Sequence, residues 1–244
     1  MRRSLPVLLL LVLAGCAGPR DAAAPAVPVE ARAAWGAVPA DTSRMPPMGR
    51  VRHVVVHHTA TEPADGQGEA AHVAAIQRFH QGDRGWGDVA YHYLVGPSGD
   101  VFEGRAERFA PASGTVYLPD AARAAAGQDS LGLTRGAVPP GSDGAPTEPP
   151  GASAGHLTVS VIGNYEERLP PEPARDALVG LVARALWEHG LGVGDVRFHR
   201  EVAVGTVCPG QALYDWFRGP ERRDGVRGDG LRRVEAALRA LGPR

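Results

Sequence analysis

Short β-branched runs alternate with amphipathic helical runs along this chain, and this alternation is the feature that most restricts its fold. The run from Arg52 to His58, RHVVVHH, is typical of a buried strand, as is the later run HLTVSVIGNY. Two more strand-like runs flank Pro97-Ser98-Gly99, which is a hairpin signal. Because strands lie before, between and after helices, the pattern predicts an α/β fold with helices flanking a central mixed β-sheet.

Three segments have helical periodicity. The first is EAAHVAAIQRFHQG, which ends at Gly82, a residue suited to a C-terminal cap. The second is PEPARDALVGLVARALWEHG, which starts with prolines and ends at Gly190. The third is GLRRVEAALRALG, which lies near the end of the chain. The predicted buried face of the first helix consists of Val73, Ile76, Phe79 and His80. We expect the apolar side of each helix to pack on the sheet.

Composition limits both the partners and the number of domains. The 244 residues fit one domain with extra segments, and the formal net charge of −1 without a long basic run gives no indication of nucleic-acid binding. We assign this domain to residues 33–244. In the stretch from Gly136 to Gly155, ten of twenty residues are Gly or Pro, which predicts a long loop within an insertion at about residues 114–155.

The N-terminus has the features of an export signal. Arg2 and Arg3 precede an apolar run that is shorter than the ~20 residues a bilayer span needs. The run ends in LAGC, which resembles the lipobox of bacterial lipoproteins and implies that Cys16 is lipidated; an ordinary cleaved signal and a buried helix are the alternatives. Residues 1–16 are then the signal and 17–32 an Ala/Pro-rich tether. With no Asp after the cysteine, we expect the outer membrane, facing the periplasm.

Cys208 is the second of only two cysteines. With Cys16 lipidated it has no disulfide partner in the chain, so its thiol is buried, reactive or metal-bound. Since side chains alternate along a strand, only one of His57 and His58 can face a given site. One such histidine, His199 and Cys208 together make three nitrogen and sulfur ligands, the number in a catalytic zinc site. Structural histidines and an inert core cysteine are the open alternatives.

Four segments together resemble a known family. In chain order they are VVVHHTA, WGDVAYHYLVGPSGDVFEGR, SVIGNYEE and HREVAVGTVCPG, and AAWGA near residue 33 adds to the likeness. They are similar to zinc-dependent N-acetylmuramoyl-L-alanine amidases of type 2, which share a fold with peptidoglycan recognition proteins and amidase-type phage lysozymes. The resemblance extends from about Ala33 to Trp216, with a break at the Pro/Gly-rich loop.

The resemblance implies a role for five residues. His57, His199 and Cys208 match the zinc ligands, and Tyr91 matches a tyrosine that relatives use beside the metal. Thr206 stands where relatives have Thr or Lys. Recognition proteins that do not cleave commonly have Ser in place of the cysteine, so Cys208 indicates an enzyme.

Other positions depart from the family pattern or have structural interpretations. His58 lies where relatives vary, which favours a packed strand residue, and we expect Glu103 to be structural and not a general base. One extra residue separates His199 from Cys208, which we place among Val202 to Gly205, and Ser113 stands where relatives often have His.

The expected activity is hydrolysis of the amide bond between N-acetylmuramic acid and L-alanine in peptidoglycan. Zinc is the expected cofactor, peptidoglycan and muropeptides are the expected partners, and the lipid anchor is the expected link of a monomeric protein to the membrane. A module that binds peptidoglycan without cleavage, with a structural zinc, is the alternative.

Overall fold

The computed structural model describes residues 27–113, 153–219 and 227–242. The strands in these ranges are β1 (His53–His58), β2 (Tyr93–Val95), β3 (Val101–Glu103), β4 (His156–Val161) and β5 (Val196–Phe198). The α-helices are α1 (Glu69–Gly82), α2 (Glu172–His189), α3 (His199–Val202), α4 (Gln211–Arg218) and α5 (Asp229–Ala240). Short 3₁₀ turns lie at Thr42–Arg44 and Val193–Asp195.

The five strands form one mixed sheet in the order β3-β2-β4-β1-β5. β1 pairs in parallel with both β4 and β5, β2 pairs in parallel with β4, and only the β2–β3 hairpin is antiparallel. The register places Ser160 of β4 beside His57 of β1. The predicted mixed sheet and the hairpin around Pro97-Ser98-Gly99 are confirmed.

The two faces of the sheet have different surroundings. Alternate residues of β1 and β4, such as Val56 and Val159, pack with Leu178 of α2 and residues of α4 and α5 in the larger core. The opposite face, which we call the site face, carries His57, and α1 covers part of it through a smaller core cluster. Helices therefore flank the sheet on both sides, as predicted.

Helix α1 differs from the sequence prediction in two respects, namely the exposure of Phe79 and the residue that caps its C-terminus. Phe79 is 47% exposed, with the Arg84 guanidinium 5.3 Å from its ring. It lies about 120° from Val73 around the helix axis, outside the arc of buried residues. That arc consists of His72, Val73, Ala74, Ile76, Gln77 and His80. Gly82 is the last helical residue and the cap is Asp83 in a right-handed conformation, whereas Gly190 ends α2 at φ 66° as a left-handed cap.

The N-terminal boundary of the folded part lies earlier than residue 33. The Glu30 backbone N–H donates to Val101 O at 2.7 Å, and Glu103 N donates to Glu30 O at 2.9 Å, so residues assigned to the tether extend the sheet edge. Val27 and Val29 pack against the larger core. Cys16, the rest of the tether and residues 114–152 of the insertion lie outside the described residues. Within the described ranges, no helix has the length and apolar character needed to cross a membrane.

Two positions on α1 test the assignment of its buried face. Ile76 is 8% exposed and Phe79 is 47% exposed. Ile76→Ala is expected to lower the free energy of unfolding by about 2–5 kcal/mol, because it removes buried methyl groups and leaves a cavity. Phe79→Ala is the matched control, with an expected change within about 0.5 kcal/mol. Urea unfolding followed by circular dichroism measures both, and equal losses would contradict the assignment.

Candidate metal centre

Three potential metal ligands meet at the site face. One ligand atom from each of His57, His199 and Cys208 lies within 4.8 Å of the other two, and all three residues are buried. The His57 Nδ1 atom is 3.7 Å from Cys208 Sγ. Nitrogen and sulfur ligands of a tetrahedral zinc stand about 3.5 Å apart, given zinc–ligand bonds of about 2.0 and 2.3 Å. The donor set and its spacing therefore fit zinc, with a fourth position left for a water molecule or substrate.

The ends of two neighbouring strands place the two histidines. His57 is the second-last residue of β1, and His199 directly follows Phe198, the last residue of β5. Because β1 and β5 are parallel neighbours, their carboxyl ends lie at the same edge of the sheet. This edge is where ligands commonly bind in open α/β sheets.

Backbone hydrogen bonds hold Cys208 against this edge. The His58 N–H donates to Cys208 Sγ at 3.3 Å, and the Arg200 N–H donates to Cys208 O at 2.9 Å. In the loop between His199 and Cys208, Val204 and Gly205 are exposed. Gly205 has φ 72°, a conformation that favours glycine. The loop therefore turns outward at these residues, within the segment to which we assigned the extra residue, and Cys208 still reaches the two histidines.

The second histidine of the pair faces away from the cluster. The Tyr165 N–H donates to His58 Nδ1 at 3.3 Å, and the His58 side chain is buried. Burial lowers the His58 pKa to about 4, with a smaller effect from the charge of Arg200. A neutral ring that accepts a backbone hydrogen bond agrees with the interpretation of His58 as a packed strand residue.

Burial also determines the charge of the three clustered groups. It lowers the pKa of His57 well below its ordinary value, with further lowering by His199, and it lowers the pKa of His199 to about 3. Burial raises the pKa of the Cys208 thiol to about 12. The two imidazoles are thus neutral, as metal binding requires, and a thiolate at Cys208 needs a compensating cation.

Tyr91 and Thr206 lie beside the cluster. The Tyr91 ring centroid is 5.4 Å from that of His57. Burial, with a smaller effect of Cys208, raises the pKa of Tyr91, so its phenol keeps its proton and can donate a hydrogen bond. The Thr206 hydroxyl oxygen accepts a hydrogen bond from the Cys208 N–H at 3.1 Å, which leaves the hydroxyl proton available to donate.

Glu103 and Ser113 occupy different surroundings. The Glu103 carboxylate accepts a hydrogen bond from the Arg32 N–H at 3.3 Å, and its carbonyl accepts one from Trp35 Nε1 at 2.9 Å. These contacts fasten the N-terminal segment to β3, in agreement with a structural role. The Ser113 hydroxyl, by contrast, lies 3.3 Å from His199 Nε2. Ser113, which stands where relatives often have His, therefore contacts the candidate ligand His199 directly.

Two residues near the cluster were missed by the sequence reasoning. Ser160 lies beside His57 in the strand register, and Glu166 is close enough for its charge to raise the pKa of Cys208. Both are within the segments HLTVSVIGNY and SVIGNYEE, which had been identified. The signal for Ser160 was a polar residue among the apolar residues near the end of the strand.

Comparison with known proteins assigns the chain to a family. Residues 47–211 match the family described as N-acetylmuramoyl-L-alanine amidase, and the chain belongs to this family. It is 32% identical to peptidoglycan recognition protein 1 of Bos indicus over 222 residues, which cover 87% of this chain and 93% of the relative. It is 31% identical to the N-acetylmuramoyl-L-alanine amidase of Homo sapiens over 202 residues, but these cover 78% of this chain and only 28% of that protein.

Solved structures show the same fold. The Drosophila peptidoglycan recognition protein SD has a TM-score of 0.58 and 25% identity, with 82% of this chain and 98% of that chain covered. Peptidoglycan recognition protein LE, solved in complex with tracheal cytotoxin, has a TM-score of 0.57 and 24% identity, with 81% and 96% covered. The fold prediction is thereby confirmed at the level of the recognition-protein superfamily.

The ligand geometry predicts which histidine of the pair binds zinc. We expect His57→Ala to lose zinc, because His57 is one of the three clustered residues and its Nδ1 lies 3.7 Å from Cys208 Sγ. His58→Asn is the matched control, since the Asn side-chain oxygen can replace Nδ1 as the acceptor for Tyr165 N–H, and it is expected to keep about one zinc per chain. Elemental analysis after metal removal and reloading measures both. Loss of zinc from the His58 variant alone would refute the ligand assignment.

Proposed function

We propose that this protein is a zinc-dependent N-acetylmuramoyl-L-alanine amidase, which hydrolyses the amide bond between the lactyl group of N-acetylmuramic acid and the L-alanine of the stem peptide. The observation that carries the proposal is the presence of Cys208 as the third member of the buried cluster with His57 and His199. Membership of the amidase family supports the same bond as the target.

His57, His199 and Cys208 would hold the metal through two neutral nitrogens and one thiolate. When bound, zinc lowers the pKa of water to about 7 and polarises the substrate carbonyl. The burial of all three residues excludes bulk water from the ligand side of the site, which strengthens electrostatic interactions with the reacting groups.

Tyr91 and Thr206 supply hydrogen-bond donors for the reaction. Amide hydrolysis passes through a tetrahedral centre on which negative charge develops at the former carbonyl oxygen. The Tyr91 phenol stays protonated, so it can donate to that oxygen or orient the attacking water. Thr206 is partly exposed in the loop that carries Cys208, where its hydroxyl can act as a second donor.

A recognition function without cleavage is the second candidate. The relatives that are 32% and 31% identical over most of their length carry the names of recognition proteins. Ser113 at the position of the expected histidine supports this candidate through a changed substrate groove. Cys208 argues against it, because a thiolate is a far better zinc ligand than the serine that non-cleaving relatives have there.

Product analysis with a tyrosine variant tests the enzymatic proposal. The full-length protein, loaded with zinc in mild detergent, is expected to release from a defined muropeptide a peptide with a free L-alanine N-terminus, and a chelator should abolish the release. Tyr91→Phe should lower kcat by about 10²- to 10³-fold, the typical cost of one lost donor. Tyr93→Phe, whose hydroxyl instead donates to Glu107 at 2.6 Å, is the control and should keep kcat. Mass spectrometry measures the products.

Two experimental results would each contradict a part of this proposal, the cleavage in one case and the need for zinc in the other. Zinc-loaded protein that binds the muropeptide and releases nothing would establish the recognition function. Full turnover in the absence of zinc would disprove the role of the metal cluster.

We also propose that the protein is a monomeric lipoprotein, anchored through Cys16 to the outer membrane and facing the periplasm. The support is the LAGC sequence after an apolar run and the absence of Asp at the next position. In a Gram-negative host, wild-type protein should incorporate radiolabelled palmitate and fractionate with the outer membrane. Cys16→Ala should incorporate none, and equal labelling of both proteins would contradict the anchor.

A further inference from the structure

One residue holds the backbone on both sides of Cys208. The Arg200 side chain donates to Val207 O through Nε at 3.2 Å and through Nη2 at 2.5 Å. The Arg200 backbone N–H donates to Cys208 O at 2.9 Å. Val207 O belongs to the peptide group that precedes the Cys208 Cα atom, and Cys208 O belongs to the one that follows it. Arg200 therefore binds both peptide groups that meet at this cysteine.

These contacts restrict the direction of the Cys208 side chain. Each peptide group is planar, so a hydrogen bond to its oxygen limits how the whole plane can rotate. The two planes together set the backbone angles of Cys208 and thereby the direction of its Cα–Cβ bond. The sulfur at the end of that bond accepts from the His58 N–H at 3.3 Å. Arg200 thus acts on the position of the thiol through the backbone.

The Arg200 guanidinium is itself held by helix α4. Its Nη1 donates to Gln211 Oε1 at 2.7 Å, and its central carbon lies 4.9 Å from the centroid of the Tyr214 ring. A guanidinium over an aromatic face is a favourable cation–π contact. The Tyr214 side chain is buried, and its hydroxyl donates to Glu201 Oε1 at 3.0 Å. The guanidinium therefore links a fixed part of α4 to the loop that carries Cys208.

The exposed turn of this loop lies outside the part that Arg200 holds. Val204 and Gly205, in the segment to which we assigned the extra residue, are exposed. The contacts of Arg200 instead join position 200 directly to positions 207 and 208. A direct link of this kind makes the position of Cys208 depend little on how the turn between the two ends is built. It gives a physical reason why one more residue is tolerated between two candidate ligands.

We propose that Arg200 is a positioning residue for the metal ligand Cys208. Because Arg200 directly follows His199, it couples the positions of two ligands that the loop would otherwise connect only through its exposed turn. It holds the thiol near the two histidines before a metal binds, so less conformational freedom is lost on binding. The inference rests on the zinc centre of the proposed function, and it does not depend on cleavage of the substrate.

The zinc affinity of an arginine variant tests this role. Arg200→Met removes the guanidinium donors and keeps an unbranched side chain. The zinc dissociation constant of the full-length protein in mild detergent should rise about 10- to 100-fold, as is typical when a partner outside the ligand shell is lost. Arg168→Met is the matched control, since Arg168 forms an exposed ion pair with Glu62, and it should stay within about 2-fold of wild type. Competition with a chromophoric chelator measures the constants, and circular dichroism checks the fold of each variant. Equal zinc affinity of the Arg200 variant and wild type would overturn the proposal.

A double-mutant cycle separates positioning from a general effect on stability. In the Cys208→Ser background the metal loses its thiolate ligand, so Arg200→Met should cause little further loss of zinc affinity, because Arg200 acts through the sulfur. A role confined to stability would lower the affinity equally in both backgrounds, and that result would also overturn the proposal. Isothermal titration calorimetry measures the weaker binding. Wild-type protein that gives the expected order of affinities and yields no product would refute the amidase function and support the role of Arg200.

Discussion

The parallel pairing of β1 with β4 on one side and β5 on the other is the interaction on which the rest of the site depends. Parallel neighbours bring their carboxyl ends to one edge of the sheet, and each of these three strands contributes a residue there. His57 is the second-last residue of β1, β5 leads directly into His199, and β4 presents Ser160 beside His57. Cys208 lies next to them because the His58 N–H, at the carboxyl end of β1, donates a hydrogen bond to its sulfur.

The site is assembled at an electrostatic cost to the protein. Burial keeps the two histidines neutral and makes a free thiolate at Cys208 unfavourable. A cation reverses this balance, because it favours the thiolate and binds neutral imidazoles through their lone pairs. The same burial keeps the Tyr91 phenol protonated. One physical cause, the removal of water from the site face, thus keeps both histidines neutral and Tyr91 protonated, whereas the thiolate at Cys208 depends on the cation.

Local sequence signals predicted those elements in which local chemistry decides the structure. Gly190 ends α2 in the left-handed conformation that glycine adopts without strain, and Pro97-Ser98-Gly99 turns the hairpin as expected. Phe79 was assigned wrongly because periodicity gives the direction of a helix face and not its width. The tether boundary was placed too late because the pairing of Glu30 with β3 is a long-range contact, for which an Ala/Pro-rich composition gives no signal.

The features of the candidate site also divide into those that the sequence predicts and those that depend on long-range contacts. The sequence by itself determined the donor types, their order and their likeness to the amidase family, because these depend on residue identity and spacing alone. That likeness also selected His57 over His58, a choice that strand alternation alone left open. Only the tertiary structure showed that His57 Nδ1 lies 3.7 Å from Cys208 Sγ, that Ser113 touches His199, and that Ser160 and Glu166 stand near the cluster. Such proximities follow from strand register and loop closure between segments as much as 151 positions apart, and a one-residue change of register would turn His57 to the opposite face.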